Sequence, residues 1–122
     1  VISPHVGEFN RLMNRELNSP VSEKEVMKFS KDKGCVVIMK GSPTLISDGE
    51  LAVYSCAGGP VLARGGSGDM LSGLVGGRTA IPNTDLLSSV IEGVAWQGAA
   101  ADAIAREQGQ VAAKATDILS FL

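Results

Sequence analysis

The run Gly66-Ser67-Gly68-Asp69 joins three small residues to one carboxylate, and a helical pattern begins at once behind it. Leu71, Leu74 and Val75 fall at i, i+3 and i+4, one apolar face of a helix. Asp69 therefore belongs to a first helical turn, where free N–H groups and the positive end of the dipole point outward. Glycines there let a bulky anion approach the backbone, which is how helix N-termini hold phosphate. The chemistry suggested is phosphoryl transfer, with the glycine turn as a phosphate cradle and Asp69 as a general base beside it. The plainer reading is a glycine-rich turn followed by an ordinary capping acid.

Two further groups stand at the ends of expected strands. Ser3-Pro4-His5-Val6-Gly7-Glu8-Phe9 leaves one, and Met39-Lys40-Gly41-Ser42-Pro43-Thr44 leaves the next. His5 is the single histidine of the chain; it suits a polar ligand contact, or it satisfies loop carbonyls. Lys40 is either a phosphate partner or a solvated lysine at a strand end. Glu8 is either a site residue or a dipole-favoured acid at a helix start. Arg64, just before the glycine turn, is a further candidate for phosphate, against an ordinary surface arginine.

The elements that must position these groups are legible in outline. Val1–Ser3 reads as a strand end stopped by Pro4, and 7–14 as a short helix with Phe9, Leu12 and Met13 on one side. Ser22-Glu23-Lys24-Glu25 has the form of a capping box, opening a helix to about Lys33 that Gly34 ends. Val36-Val37-Ile38-Met39 predicts a short strand buried on both faces, with Cys35 buried beside it. Asp48-Gly49 between Thr44–Ser47 and Glu50–Ser55 predicts a hairpin with a two-residue turn. Helices are expected over 68–79 and 85–107, the second with Leu87, Val90, Ile91, Val94 and Ala95 on its apolar stripe, and a short one over 115–122. This is an α/β order, with a mostly parallel sheet flanked by helices, and in open α/β sheets ligands bind at strand ends.

The 122 residues allow at most one domain. A net charge of −2 without a basic block argues against nucleic acid as a partner. No apolar run is long enough to span a membrane. Two cysteines, Cys35 and Cys56, make neither a metal set nor a disulfide framework. With no legible secretory leader, a reduced cytoplasmic setting is expected. The chain opens without Met in what reads as a strand end, so a fragment lacking the first half of its domain is expected.

Taken together, the three clusters resemble the carboxy-terminal part of the ribokinase-like ADP/ATP-dependent NAD(P)H-hydrate dehydratases. The resemblance runs from Ile2 to about Ala101. The first two clusters separate that family from generic sugar kinases, which share mainly the Gly-x-Gly-Asp turn. The resemblance implies a nucleotide-driven loss of water from hydrated NADH or NADPH. It implies Asp69 as the base that activates the hydrate hydroxyl and Gly66, Ser67 and Gly68 as the phosphoryl cradle. Lys40, Gly41, Ser42, Pro43, Thr44 and Gly68 would hold the nucleotide, and His5 with Asp69 the substrate. ADP or ATP with Mg2+ is implied, with no metal site built from protein ligands alone.

This chain departs from the family pattern in two places. Gly59-Pro60-Val61 stands where Asn-Pro-Gly is common, with Arg64 at a threonine position, and Gln97 stands where the family often has His. A sheet lacking its first half would have an open edge, so the chain would either pair with a second copy as a homo-oligomer or be poorly active. Two other functions remain open: a small-molecule kinase of the same fold, and a nucleotide-binding fragment without catalysis.

Overall fold

The first helix begins where the sequence places a residue that can cap it. A computed structural model describes residues 1–122. In it α1 (Val6–Leu12) is capped by His5, whose ring accepts from the Glu8 N–H. Its inward face is Phe9 and Asn10, both fully buried, while Leu12 and Met13 are exposed. The expected apolar side is therefore corrected: Met13 caps the helix and Asn14 adopts a positive φ of 53°. Asn10 takes the inward place because its amide donates to the Leu17 and Ser19 carbonyls at 2.9 and 2.8 Å. A buried amide so paired avoids the cost of an unsatisfied donor.

Helix α2 (Glu23–Lys33) starts and stops as its sequence signals require. Ser22 and Glu25 form the reciprocal capping box, and Gly34 ends the helix at φ 60°. Arg15 reaches forward to pair with Glu25 and donates back to Asn10 Oδ1 at 2.6 Å. This chain of bonds fixes the 14–22 loop to the start of α2.

Strand β1 (Val37–Met39) pairs antiparallel with β2 (Thr44–Ser47), with Ile38 opposite Ile46, and β3 (Ala52–Ser55) follows in the order β1-β2-β3. All three residues of β1 are buried, as its unbroken apolar run predicts. The parallel component is confined to two bridges, Ile2 with Val37 and His5 with Lys40. The expected mostly parallel sheet is therefore corrected for the strands of this chain, because a short turn can only join antiparallel neighbours. The hairpin turn is also longer than two residues: β3 starts at Ala52 rather than Glu50. Asp48 Oδ1 accepts the N–H groups of Glu50 and Leu51, both at 2.9 Å, and so withdraws them from the ladder. Those bonds hold the Asp48 carboxyl below the usual range. Cys35 is half-buried and precedes β1 rather than joining it.

The chain divides into two compact units, Val1–Tyr54 and Ser55–Leu122. The core of the first is Phe9, Val26, Val37, Met39 and Leu45, with Phe29 edge-on to Phe9 at a centroid distance of 5.2 Å. In the second, a 3-10 turn (Gly59–Leu62) leads to α3 (Ser67–Thr79), then α4 (Leu86–Gln108) and a closing 3-10 segment (Ala115–Phe121). Asp85 caps α4 through the Ser88 N–H at 2.8 Å. The stripe Val90, Val94, Ala101 and Ile104 is buried, whereas Ala95 is exposed and Ile91 half-buried. Gly93 lets the two helices approach, since a Cβ there would lie 3.0 Å from Val75 Cγ2.

Replacing Phe9 with Ala should cost about 3–5 kcal/mol in denaturant unfolding, the range for a truncated core aromatic. A loss under about 1 kcal/mol would show that the first unit's core does not depend on the Phe9–Phe29 pair. Glu25 tests the cap. The Ser22 N–H, the Ser22 hydroxyl and Arg15 pull its carboxyl from 4.5 to about 2. The folded value lies below the unfolded one, so the cap stabilises above pH 4.5 and fades as pH falls towards 2. The Tm difference between wild type and Glu25→Gln should therefore shrink across that window and hold steady above it.

Candidate active site

In the first unit the site residues stand at the ends of two neighbouring parallel segments. Ile38 N–H donates to the Ile2 carbonyl at 2.8 Å, and Lys40 N–H to the Pro4 carbonyl at 2.8 Å. This short ladder sets His5 beside Lys40. Glu8 joins them. One of its oxygens accepts the His5 N–H at 2.8 Å and lies 3.4 Å from Lys40 Nζ; the other lies 3.5 Å from His5 Nε2. The His5 N–H bond, and then the charges of Lys40 and His5, hold the Glu8 carboxyl below its ordinary range despite partial burial. Gly7 leaves room for the ring, since a Cβ there would sit 3.1 Å from His5 Cε1. The structure thus gathers His5, Glu8 and Lys40 into one cluster and makes Glu8 its hub.

The turn after Lys40 closes on itself. Thr44 Oγ1 donates to the Gly41 carbonyl at 3.1 Å, while Gly41, Ser42 and Pro43 are exposed. This stretch faces solvent at the β1–β2 connection.

In the second unit, the glycine turn forms the start of α3. Gly66 is its N-cap at φ 88°, a left-handed conformation that suits glycine, and no side chain caps the helix. Ser67 N–H bonds to the Arg64 carbonyl at 3.2 Å and Met70 N–H to the Gly66 carbonyl at 3.1 Å. The N–H groups of Gly68 and Asp69 have neither a side-chain cap nor a backbone acceptor. Asp69 is exposed in this first turn, as its position in the sequence predicts. The Ser67 hydroxyl is not turned outward; it bonds to the Leu62 and Arg64 carbonyls at 2.7 and 2.8 Å. Ser67 thus offers an anion neither its hydroxyl nor its N–H; the open donors of this turn are those of Gly68 and Asp69.

Arg64 also points away from the turn. Its Nη2 donates to the carbonyls of Gln110 and Val111 at 2.9 and 2.7 Å. The long cation at this position ties down the loop behind α4. Gln97 is buried and donates from Nε2 to the Ser67 carbonyl at 2.7 Å. Asp102 Oδ1 accepts the Gly58 N–H at 3.0 Å. Neither supporting role follows from the motifs, though a polar residue inside an apolar helical stripe is a signal for one. The structure contains no grouping of three or more His, Cys, Asp or Glu side chains that could hold a metal.

The order and packing of these elements match a ribokinase-like fold. A ribokinase-like superfamily protein from Enterococcus faecalis shares it, with a TM-score of 0.77 over 97% of this chain and 40% of that one, at 22% identity. The family model described as NAD(P)H-hydrate dehydratase matches residues 1–122, so the chain belongs to that family. It is 36% identical over its whole length to the bifunctional NAD(P)H-hydrate repair enzyme Nnr of Coxiella burnetii, of which it covers 25%. The ADP/ATP-dependent NAD(P)H-hydrate dehydratase of Bacillus subtilis, co-crystallized with ATP/Mg2+, is 26% identical with a TM-score of 0.81. That likeness covers 98% of this chain and 44% of the other. The chain thus spans under half the length of these relatives.

Gly66→Ala tests the turn itself. A Cβ there meets nothing within 4 Å, so any effect is backbone strain rather than a clash. The variant should lose about 1–2 kcal/mol in urea unfolding, the cost of a left-handed non-glycine residue. Unchanged stability would mean that the turn can relax without its left-handed cap.

Proposed function

We propose that this chain is the carboxy-terminal portion of a nucleotide-dependent NAD(P)H-hydrate dehydratase, a lyase that restores damaged NADH or NADPH. The observation that carries the reading is Asp69: an exposed carboxylate in the first turn of α3, beside two N–H groups without a protein acceptor. ADP or ATP supplies the phosphoryl group that makes the hydrate's hydroxyl a leaving group. Asp69 takes the hydroxyl proton as that oxygen is phosphorylated. The open backbone N–H groups of Gly68 and Asp69 and the dipole of α3 stabilise charge on the transferring group. Phosphate then leaves, the ring gives up a proton, and its double bond returns.

Residues of the first unit take the remaining roles. Lys40 and the Gly41-Ser42-Pro43-Thr44 turn serve the phosphates of the nucleotide, and His5 contacts the substrate. Glu8 orients both His5 and Lys40 through the bonds described above. Arg64 is left to the loop it binds. Mg2+ would belong with the nucleotide phosphates, which supply oxygen ligands of the kind it prefers.

A cytoplasmic setting is part of the same proposal. Cys35 and Cys56 are free thiols, and no helix is long and apolar enough to cross a membrane. So is a homo-oligomer: β3 ends the strand order β1-β2-β3, and its Tyr54 is exposed.

Asp69→Asn separates chemistry from binding. In the full-length protein it should bind nucleotide as well as wild type and lower turnover by ~10²-fold or more, the usual scale for a lost general base. Wild-type turnover in this variant would remove Asp69 from the mechanism.

A further inference from the structure

We infer that Gln97 is the positioning residue for Asp69. Its amide, by donating to the Ser67 carbonyl, sets where the first turn of α3 presents its carboxylate and its N–H groups. The consequence for rate rests on the reaction proposed above; the placement of the turn stands on the geometry alone.

An uncapped helix start needs support from elsewhere, because no side chain of its own closes it. The Ser67 hydroxyl does not supply that support, since it bonds to the Leu62 and Arg64 carbonyls of the same loop. Gln97 does, from 30 residues away, through a 2.7 Å bond to the Ser67 carbonyl. It is only 4% exposed and shares its helix face with Val90, Val94, Ala101 and Ile104. An apolar residue would fill such a place without the desolvation cost of a buried amide, so the value of Gln97 lies in its bond.

Helix α4 also holds the other end of the loop. Gly98 lies so close to it that a Cβ would come within 2.7 Å of Ala57 Cβ, and Asp102 accepts the Gly58 N–H at 3.0 Å. Helix α4 therefore grips the loop at residues 57–58 and at Ser67. The Arg64-Gly65-Gly66 stretch bridges two fixed points. A base displaced by about 1 Å can lose ~10²-fold in rate, so this grip bears directly on the chemistry.

The test compares Gln97→Met and Gln97→His in the full-length protein. Met keeps the length and burial and removes the donor, while His restores an N–H. In Gln97→Met, Tm should fall by no more than the few degrees that one hydrogen bond is worth, and KM for nucleotide should stay within about twofold of wild type. Its kcat should fall by about tenfold or more, and the backbone amide resonances of Gly68 and Asp69 should move. Gln97→His should recover kcat and bring those resonances back towards wild type. A Gln97→Met protein with wild-type kcat and unmoved Gly68 and Asp69 resonances would overturn the inference. If the wild-type protein shows no dehydration, the reaction reading fails, and the resonances alone decide the positioning role: moved supports it, unmoved refutes it.

Discussion

Helix α3 begins at a glycine in the left-handed region and has no side chain to close it. Every helix start leaves N–H groups that need acceptors. Most chains supply Ser, Thr, Asp or Asn for this purpose. Here the N–H groups of Gly68 and Asp69 stay open, and the helix dipole favours negative charge where they point. A helix left in this state must be held by its surroundings. The rest of the second unit does so: Gly93 lets α4 pack closely on Val75, Gly98 admits the loop at Ala57, and Gln97 and Asp102 bond to the loop's backbone. Arg64 ties the following loop through two carbonyls.

The first unit solves a different problem, which is how to keep a histidine and a lysine in place at strand ends. One carboxylate does it. Glu8 caps the helix that His5 starts, and its charge stands against both Lys40 and the His5 ring. Its lowered pKa records the same bonds from the electrostatic side. The apolar core beneath them, built on Phe9, Val37 and Leu45, fixes the short parallel ladder that brings Pro4 and Lys40 together.

Much of this was legible in the residues. The capping box at Ser22, the stop at Gly34, the buried run at Val37–Met39 and the helix after Gly66 all follow from local chemistry that tertiary packing did not override. The family was legible as well, because three motifs in order constrain more than any one of them. What escaped was decided by long-range bonding. Asn10 displaced Leu12 from the inner face of α1 because carbonyls of Leu17 and Ser19 waited for its amide. Asp48 lengthened the hairpin turn by taking two N–H groups. Arg64 turned to a loop 46 residues further on, and Gln97 to a turn 30 residues before it. Spacing within one element cannot show such pairings.

In the proposed reaction, an acid in an open helix start drives loss of water rather than a lasting phosphorylation. Both outcomes begin with phosphoryl transfer to a hydroxyl, so product analysis separates them. The decisive measurement follows inorganic phosphate and reduced-nicotinamide absorbance together, in full-length protein supplied with hydrated NADH or NADPH, nucleotide and Mg2+. Phosphate and reduced cofactor should appear in equal amounts. A stable phosphorylated product, without recovery of the reduced nicotinamide, would contradict the proposed reaction.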